Sequence, residues 1–135
     1  MKRFIWLFFL LCSIATACMD GEWCVYSYNN SDIDLGFYEP SRNLDRLWHH
    51  EKRQEILGGG CFPWQYFEYN DYLDIFLYDY NEVVDLPWNE VRDRKYIVKY
   101  SFTWDDLEKL NYRIFFPPTE AMKDVLMDPP YEEVI

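Results

Sequence analysis

Residues 72–79 read Tyr72-Leu73-Asp74-Ile75-Phe76-Leu77-Tyr78-Asp79, and the fold is decided by how YLDIFLYD is read. Alternate side chains of a strand point to opposite faces. Leu73, Ile75 and Leu77 therefore share one face, while Phe76 and Tyr78 make the other aromatic. A strand this apolar on both sides belongs in the middle of a sheet.

Toward the C-terminus, Pro87 to Arg92 predicts one or two helical turns, because Pro is tolerated in a first turn and Trp88 and Val91 are three apart. Tyr96 to Phe102 alternates as another strand. Thr103 stands three residues before Asp106. Its hydroxyl can cap a helix whose Asp106 carboxylate reaches back, with Phe102 packed on Leu107 as a staple. A short helix over 104–110 follows. Asn111 is expected to end it in a left-handed conformation. Tyr112 to Phe116 then reads as a strand stopped by Pro117-Pro118, and Val125 to Met127 as a last edge strand. Residues 128–135, with Pro129-Pro130, read as a mobile tail.

On the N-terminal side, residues 22–28 set Trp23, Val25 and Ser27 against Cys24, Tyr26 and Tyr28, a strand pattern. Asn29-Asn30-Ser31-Asp32 consists of residues that hydrogen-bond their own backbone in turns. Ile33, Leu35 and Phe37 follow on one face, so 22–38 predicts a hairpin ended by Pro40. Signals between Ser41 and Gly60 conflict. Leu44, Leu47 and Trp48 have helical spacing, Gln54 to Leu57 suits a short strand, and Gly58-Gly59-Gly60 predicts an irregular segment. Six or seven short strands with one or two short helices predict a mainly β, antiparallel β-sandwich over residues 22–127. An immunoglobulin-like topology is the first expectation and a small barrel the second.

The first residues carry a different message. Lys2 and Arg3 precede an apolar run from Phe4 to Ala17, shorter than the about 20 apolar residues that cross a bilayer. A signal peptide over 1–17 is expected. Ala15-Thr16-Ala17 is a small-x-small cleavage signal, and with Cys18 it resembles the lipobox of bacterial lipoproteins, with Ala15 where most carry Leu. Cysteine arithmetic separates the two readings. Cys12 lies in the removed segment; if Cys18 carries lipid, Cys24 and Cys61 remain as a pair. In an oxidising compartment a pair predicts a disulfide. Residues 18–21 would then tether a domain to a membrane, held stably when two or more acyl chains are attached.

Composition narrows the partners. With 24 acidic and 13 basic residues the net charge is −11, and loss of Lys2 and Arg3 makes it two charges more negative. That argues against nucleic acid, whose phosphates need a basic surface. His49-His50-Glu51 is the one histidine cluster. Adjacent side chains point apart and a third ligand is missing, so a solvated loop is expected rather than a metal site. Asp32 and Asp34, or Asp71, Asp74 and Asp79, lack calcium-loop spacing. No nucleophile elbow, phosphate loop or zinc-protease helix occurs. No catalytic residue, metal or cofactor is therefore assigned.

Aromatic residues make up 21 % of the chain, more than a small core conceals. Exposed Tyr and Trp suit protein or sugar recognition, since they present apolar faces with a polar edge. Tyr66, Phe67, Tyr69 and Tyr72, between Pro63 and the central strand, are the candidate binding surface. The plain alternative is a half-buried loop packed over the end of the sandwich.

DIFLYDYNEV (74–83), PWNEV (87–91) and KYSFTWDDLEKLNYRIFFPPTEAMKDV (99–125), with YNNSDIDLGFY (28–38), resemble the corresponding runs of small uncharacterised envelope lipoproteins of Bacteroides-type bacteria (Bacteroidetes). The likeness covers roughly 22–38 and 72–127. It departs at Tyr112, where the family carries Trp, and at Pro87, where a small capping residue is commoner. The resemblance implies an envelope location at the outer membrane and supplies no catalytic residue. Two functions are thus expected in turn. One is a membrane-anchored interaction module for an envelope protein or glycan. The other is a small hydrolytic or metal-dependent enzyme, which would need converging carboxylates or His49 and His50 in a pocket.

Overall fold

The computed structural model describes residues 22–40, 47–54 and 57–135, with backbone alone at 57–60 and 93. The signal segment, Cys18 and residues 41–46 lie outside them. Two sheets divide the chain. One contains β1 (Trp23–Asn29), β4 (Leu57–Phe62) and β7 (Arg113–Phe116) in the order β4-β1-β7. The other contains β2 (Leu35–Tyr38), β3 (Trp48–His50), β5 (Leu73–Asp79), β6 (Val98–Phe102) and β8 (Leu126–Asp128) in the order β3-β2-β5-β6-β8. Strand pairs are antiparallel apart from β1 with β7. Short helices α1 (Tyr66–Tyr69), α2 (Tyr80–Val83), α3 (Trp88–Asp93), α4 (Trp104–Lys109) and α5 (Tyr131–Val134) decorate this mainly β architecture. Among the described residues no helix is long and apolar enough to cross a membrane.

YLDIFLYD supplies β5, the middle strand of five. Leu73, Ile75 and Leu77 enter the core between the sheets, where they meet Val25, Ile114 and Phe116 from the opposite layer. Phe76 and Tyr78 face the other way and are covered by Val83, Leu86, Trp88 and Val91 from the α2–α3 region. The two-faced apolar pattern thus places a layer on each side. Tyr100 on β6 is fully buried, and its hydroxyl donates to the Phe115 carbonyl of β7 at 2.9 Å, tying the sheets together through the core. Burial pushes that phenol far up in pKa.

The capping signal is realised. Thr103 Oγ1 accepts from the Asp106 N–H at 3.1 Å, and the Thr103 N–H donates to Asp106 Oδ2 at 2.9 Å. Phe102 and Leu107 are both fully buried. Asn111 takes the left-handed conformation at φ 54°, and Tyr112 follows at φ 60°. In the segment read as a tail, α5 packs Tyr131 and Val134 against the core.

Three expectations are corrected. First, β1 and β2 do not form a hairpin. β1 already has β4 on one edge and β7 on the other, so the chain arches across to the second sheet. Asn29, fully buried, builds that arch: its Nδ2 donates to the carbonyls of Ile33 at 2.8 Å and of His50 and Glu51 at 3.1 Å. Its Oδ1 accepts from the Ser31 N–H and hydroxyl.

Second, the three glycines are not irregular but lie in β4, where Val25 faces Gly60 and Cys24 faces Cys61, with a register slip before Ser27. The Cys24–Cys61 disulfide joins these directly opposed residues, Cα atoms 4.0 Å apart and 37 residues apart in sequence. It holds extended a segment that glycine alone would leave loose. Closing such a loop contributes about 4 kcal/mol in the chain-entropy picture.

Third, His49-His50 is not a solvated loop. Both lie on β3 and point to opposite faces. His49 is exposed, whereas His50 is 0 % exposed and packs on Phe37 at 5.3 Å. Among the described residues neither ring nitrogen of His50 meets a hydrogen-bond partner. The nearby Gln54 carbonyl instead accepts from the Asn29 N–H at 2.9 Å. Burial holds the imidazole below its ordinary pKa of 6.5.

Two outcomes are expected. Asn29→Asp removes the donor and sets a carboxylate against three carbonyls; urea unfolding should show a loss of roughly 3 kcal/mol or more, and wild-type stability would mean the arch is held elsewhere. His50 is neutral in both states above pH 6.5. As pH falls below that value the unfolded chain takes the proton first, so stability should decline by at most about 1.4 kcal/mol per pH unit. His50→Leu should flatten this decline between pH 6.5 and 5, as read by thermal unfolding.

Candidate binding groove

Strand β1 serves two sides at once. Trp23, Val25, Ser27 and Asn29 point into the core, so Cys24, Tyr26 and Tyr28 must point outward from the three-stranded sheet. Its parallel neighbour β7 sets Arg113 opposite Tyr26 and Phe115 opposite Tyr28. Paired residues share a face, and Tyr28 stacks on Phe115 with centroids 4.8 Å apart. On the other edge, Gly58, Gly59 and Gly60 of β4 have no side chain to raise beside Tyr26.

The end of α4 closes the groove. The Tyr112 N–H donates to the Leu107 carbonyl at 2.8 Å, and the Tyr112 carbonyl accepts from the Tyr26 N–H at 2.8 Å. Both bonds hold the chain where Asn111 and Tyr112 must be left-handed. For a bulky residue such as Tyr this conformation is uncommon and costs about 1–2 kcal/mol. It turns Tyr112 to the groove wall while leaving its ring 5.7 Å from Trp104. Burial and the nearby Glu108 carboxylate raise the Tyr112 phenol above its ordinary pKa.

The resulting groove has a volume of about 390 Å³ and is lined by Cys24, Tyr26, Tyr28, Asn111, Tyr112 and Arg113. Tyr26 is 46 % exposed. The site therefore combines three phenol rings, one amide and one guanidinium, with no carboxylate among the described residues of its lining. A second cavity, of about 250 Å³, lies over the outer face of the five-stranded sheet between Leu47, Val83, Leu86, Trp88 and Val91. Among the described residues its lining holds no charged side chain, and it reads as a gap where α2 and α3 cover the sheet.

The four aromatic residues singled out from the sequence divide. Tyr66 is buried, edge-on to Phe62 and Trp23, with its hydroxyl donating to the Tyr72 carbonyl at 3.2 Å. Phe67 is half-buried and stacks on Trp23. Both belong to the packing of α1, so they do not form part of an open surface. Tyr69 and Tyr72 are open to solvent at 83 % and 44 %. Trp64, 50 % exposed, lies 6.2 Å from Trp104, which connects this end of the sandwich to Tyr112. The groove residues had a signal in the outward face of β1. The pairing of β1 with β7 had none.

Elsewhere the carboxylates are engaged separately. Asp32 holds Arg53 at 2.7 Å, and Asp74 accepts from the Ser101 hydroxyl at 2.6 Å. Asp34 accepts from the Lys52 N–H at 2.8 Å and approaches His49 at 3.3 Å, contacts that lower its pKa, the backbone bond most. His49 also stacks on Tyr80 at 3.9 Å. Among the described residues no three His, Cys, Asp or Glu side chains gather as metal ligands. Set against known proteins, the chain matches no family model, no curated protein and no solved structure.

The division of the aromatic residues is measurable. Tyr66→Ala should cost about 3–5 kcal/mol in urea unfolding, as expected for a buried ring, whereas Tyr69→Ala and Tyr26→Ala should stay within about 0.5 kcal/mol of wild type. A large loss for Tyr26→Ala would place that ring in the fold rather than on its surface.

Proposed function

We propose that the protein is an envelope lipoprotein, anchored to the outer membrane through lipid on Cys18, whose β-rich domain is a binding module for an envelope protein or glycan. The observation that carries the binding half is the open, tyrosine-lined groove on the three-stranded sheet. The anchoring half is supported by Lys2-Arg3, the apolar run and Ala15-Thr16-Ala17-Cys18, and by the likeness to Bacteroides-type lipoproteins. Covalent geometry links the halves. Cys24 is six residues from Cys18, so the groove would lie within roughly 22 Å of the lipidated sulfur at full extension. A module so placed meets partners close to the membrane surface.

The immunoglobulin-like topology enters this proposal only as two layers of short, mostly antiparallel strands. The observed orders differ from the four-plus-three arrangement of an immunoglobulin constant domain. The enzymatic alternative draws on the Asp34–His49 contact alone, which sits on an exposed edge away from the groove.

Metabolic labelling with palmitate tests the anchor. The intact protein should incorporate label and the Cys18→Ala variant should not; label surviving in that variant would overturn the lipidation.

A further inference from the structure

We propose that the groove takes a glycan whose pyranose rings carry carboxylates, with Tyr26 and Tyr112 stacking on sugar faces and Arg113 receiving a carboxylate. This deepens the binding reading given above and rests on it. The geometry first excludes one way of holding a peptide. β1, the floor of the groove, is hydrogen-bonded on both edges, to β4 and to β7, so no strand can be added to it. The groove lies across the sheet face, and its rings present apolar planes with hydroxyls at their rims. A pyranose offers the complement, a C–H face bounded by hydroxyls, and aromatic rings with a polar edge suit it.

The neighbouring strand clears space for such a ligand. Glycine within a strand weakens it and marks places where another molecule or backbone approaches closely. Three glycines in succession pair with the stretch of β1 around Tyr26 and add no side chain of their own there. The volume of about 390 Å³ lies in the range of small-molecule sites, roughly 300–1,000 Å³.

Charge selects the kind of sugar. The chain has 24 acidic residues, yet among the described residues the lining contains none and carries Arg113 directly across from Tyr26. A guanidinium matches a carboxylate with two parallel hydrogen bonds. The Asn111 amide beside it can donate to a hydroxyl and accept from another. The Glu108 carboxylate, near enough to raise the Tyr112 phenol, disfavours a sugar carboxylate on the Tyr112 side and leaves Arg113 as the place for it; repulsion from carboxylates beyond about 8 Å is screened at physiological salt.

The test uses the intact lipoprotein in detergent micelles at 0.15 M salt, titrated with hexamers of galacturonate, mannuronate and glucuronate and with their methyl esters. Trp104, in contact with Tyr112, reports occupancy by its fluorescence, and calorimetry gives the affinity. At least one acid hexamer should bind, with its ester roughly ten- to a hundredfold weaker. Arg113→Gln should abolish that preference while leaving weak binding of the ester. Tyr26→Ala should lose both, and Tyr69→Ala neither. No binding of any acid hexamer, or equal affinity for acid and ester, overturns the proposal. A photo-crosslinker at position 28, which lines the groove but is assigned no ligand contact, separates the two levels. A protein captured there in the native envelope, with no uronate bound, sinks the glycan and keeps the groove as a binding site. Neither glycan nor protein contacting position 28 sinks both.

Discussion

The arrangement of the two layers depends on the buried amide of Asn29. Its nitrogen serves carbonyls from the arch, from the end of β3 and from the residue beyond, while its oxygen receives Ser31. One side chain thus sets where the chain leaves the first sheet, where it enters the second and where the edge strand β3 comes to rest. Buried carbonyls left without donors are expensive, about 1–3 kcal/mol each, so these three segments cannot drift independently. Arg53 makes a parallel set of bonds on the outside, to Asp32 and the Asn30 carbonyl. That clamp is exposed and contributes little by comparison, since exposed pairs are worth about 0–1 kcal/mol.

Strand β1 is the hub through which the core and the groove share residues. Its inward side supplies Trp23, around which Phe62, Phe67 and Trp104 pack, and its outward side supplies the floor of the groove. The disulfide sits on the same strand. It holds β4 extended beside β1, the strand that floors the groove. The groove is therefore positioned by two layers of constraint, a covalent one on the β4 edge and the left-handed Asn111-Tyr112 turn on the β7 edge.

His50 shows the other side of a close-packed core. The strand places it inward by simple alternation, and among the described residues its ring nitrogens meet no hydrogen-bond partner by geometry, with the Gln54 backbone the nearest polar group acting on it. The imidazole stays neutral and packs as a ring against Phe37. Its neighbour His49, one residue away, meets Asp34 and Tyr80 on the surface. A one-residue shift separates the two environments because strand periodicity is two.

What the sequence by itself determined is local and periodic. Alternation put Leu73, Ile75 and Leu77 on one face and named β5 as central; Thr103 and Asp106, three apart, started α4; Asn111 ended it; Pro117-Pro118 stopped β7. Each depends on residues within one or two turns of chain, where geometry follows from bonds and sterics. The cysteines added one long-range expectation, the Cys24–Cys61 bridge, which followed from reading Cys18 as the lipidated residue and is present in the fold. Tertiary structure alone decided that β1 lies between β4 and β7, so that the expected hairpin became an arch and the glycines became a strand. It also sent Tyr66 inward and gathered Tyr26, Tyr28, Tyr112 and Arg113 into one groove. Those outcomes turn on which edge of a strand finds which distant partner, a competition settled by burial and hydrogen bonding across the whole domain.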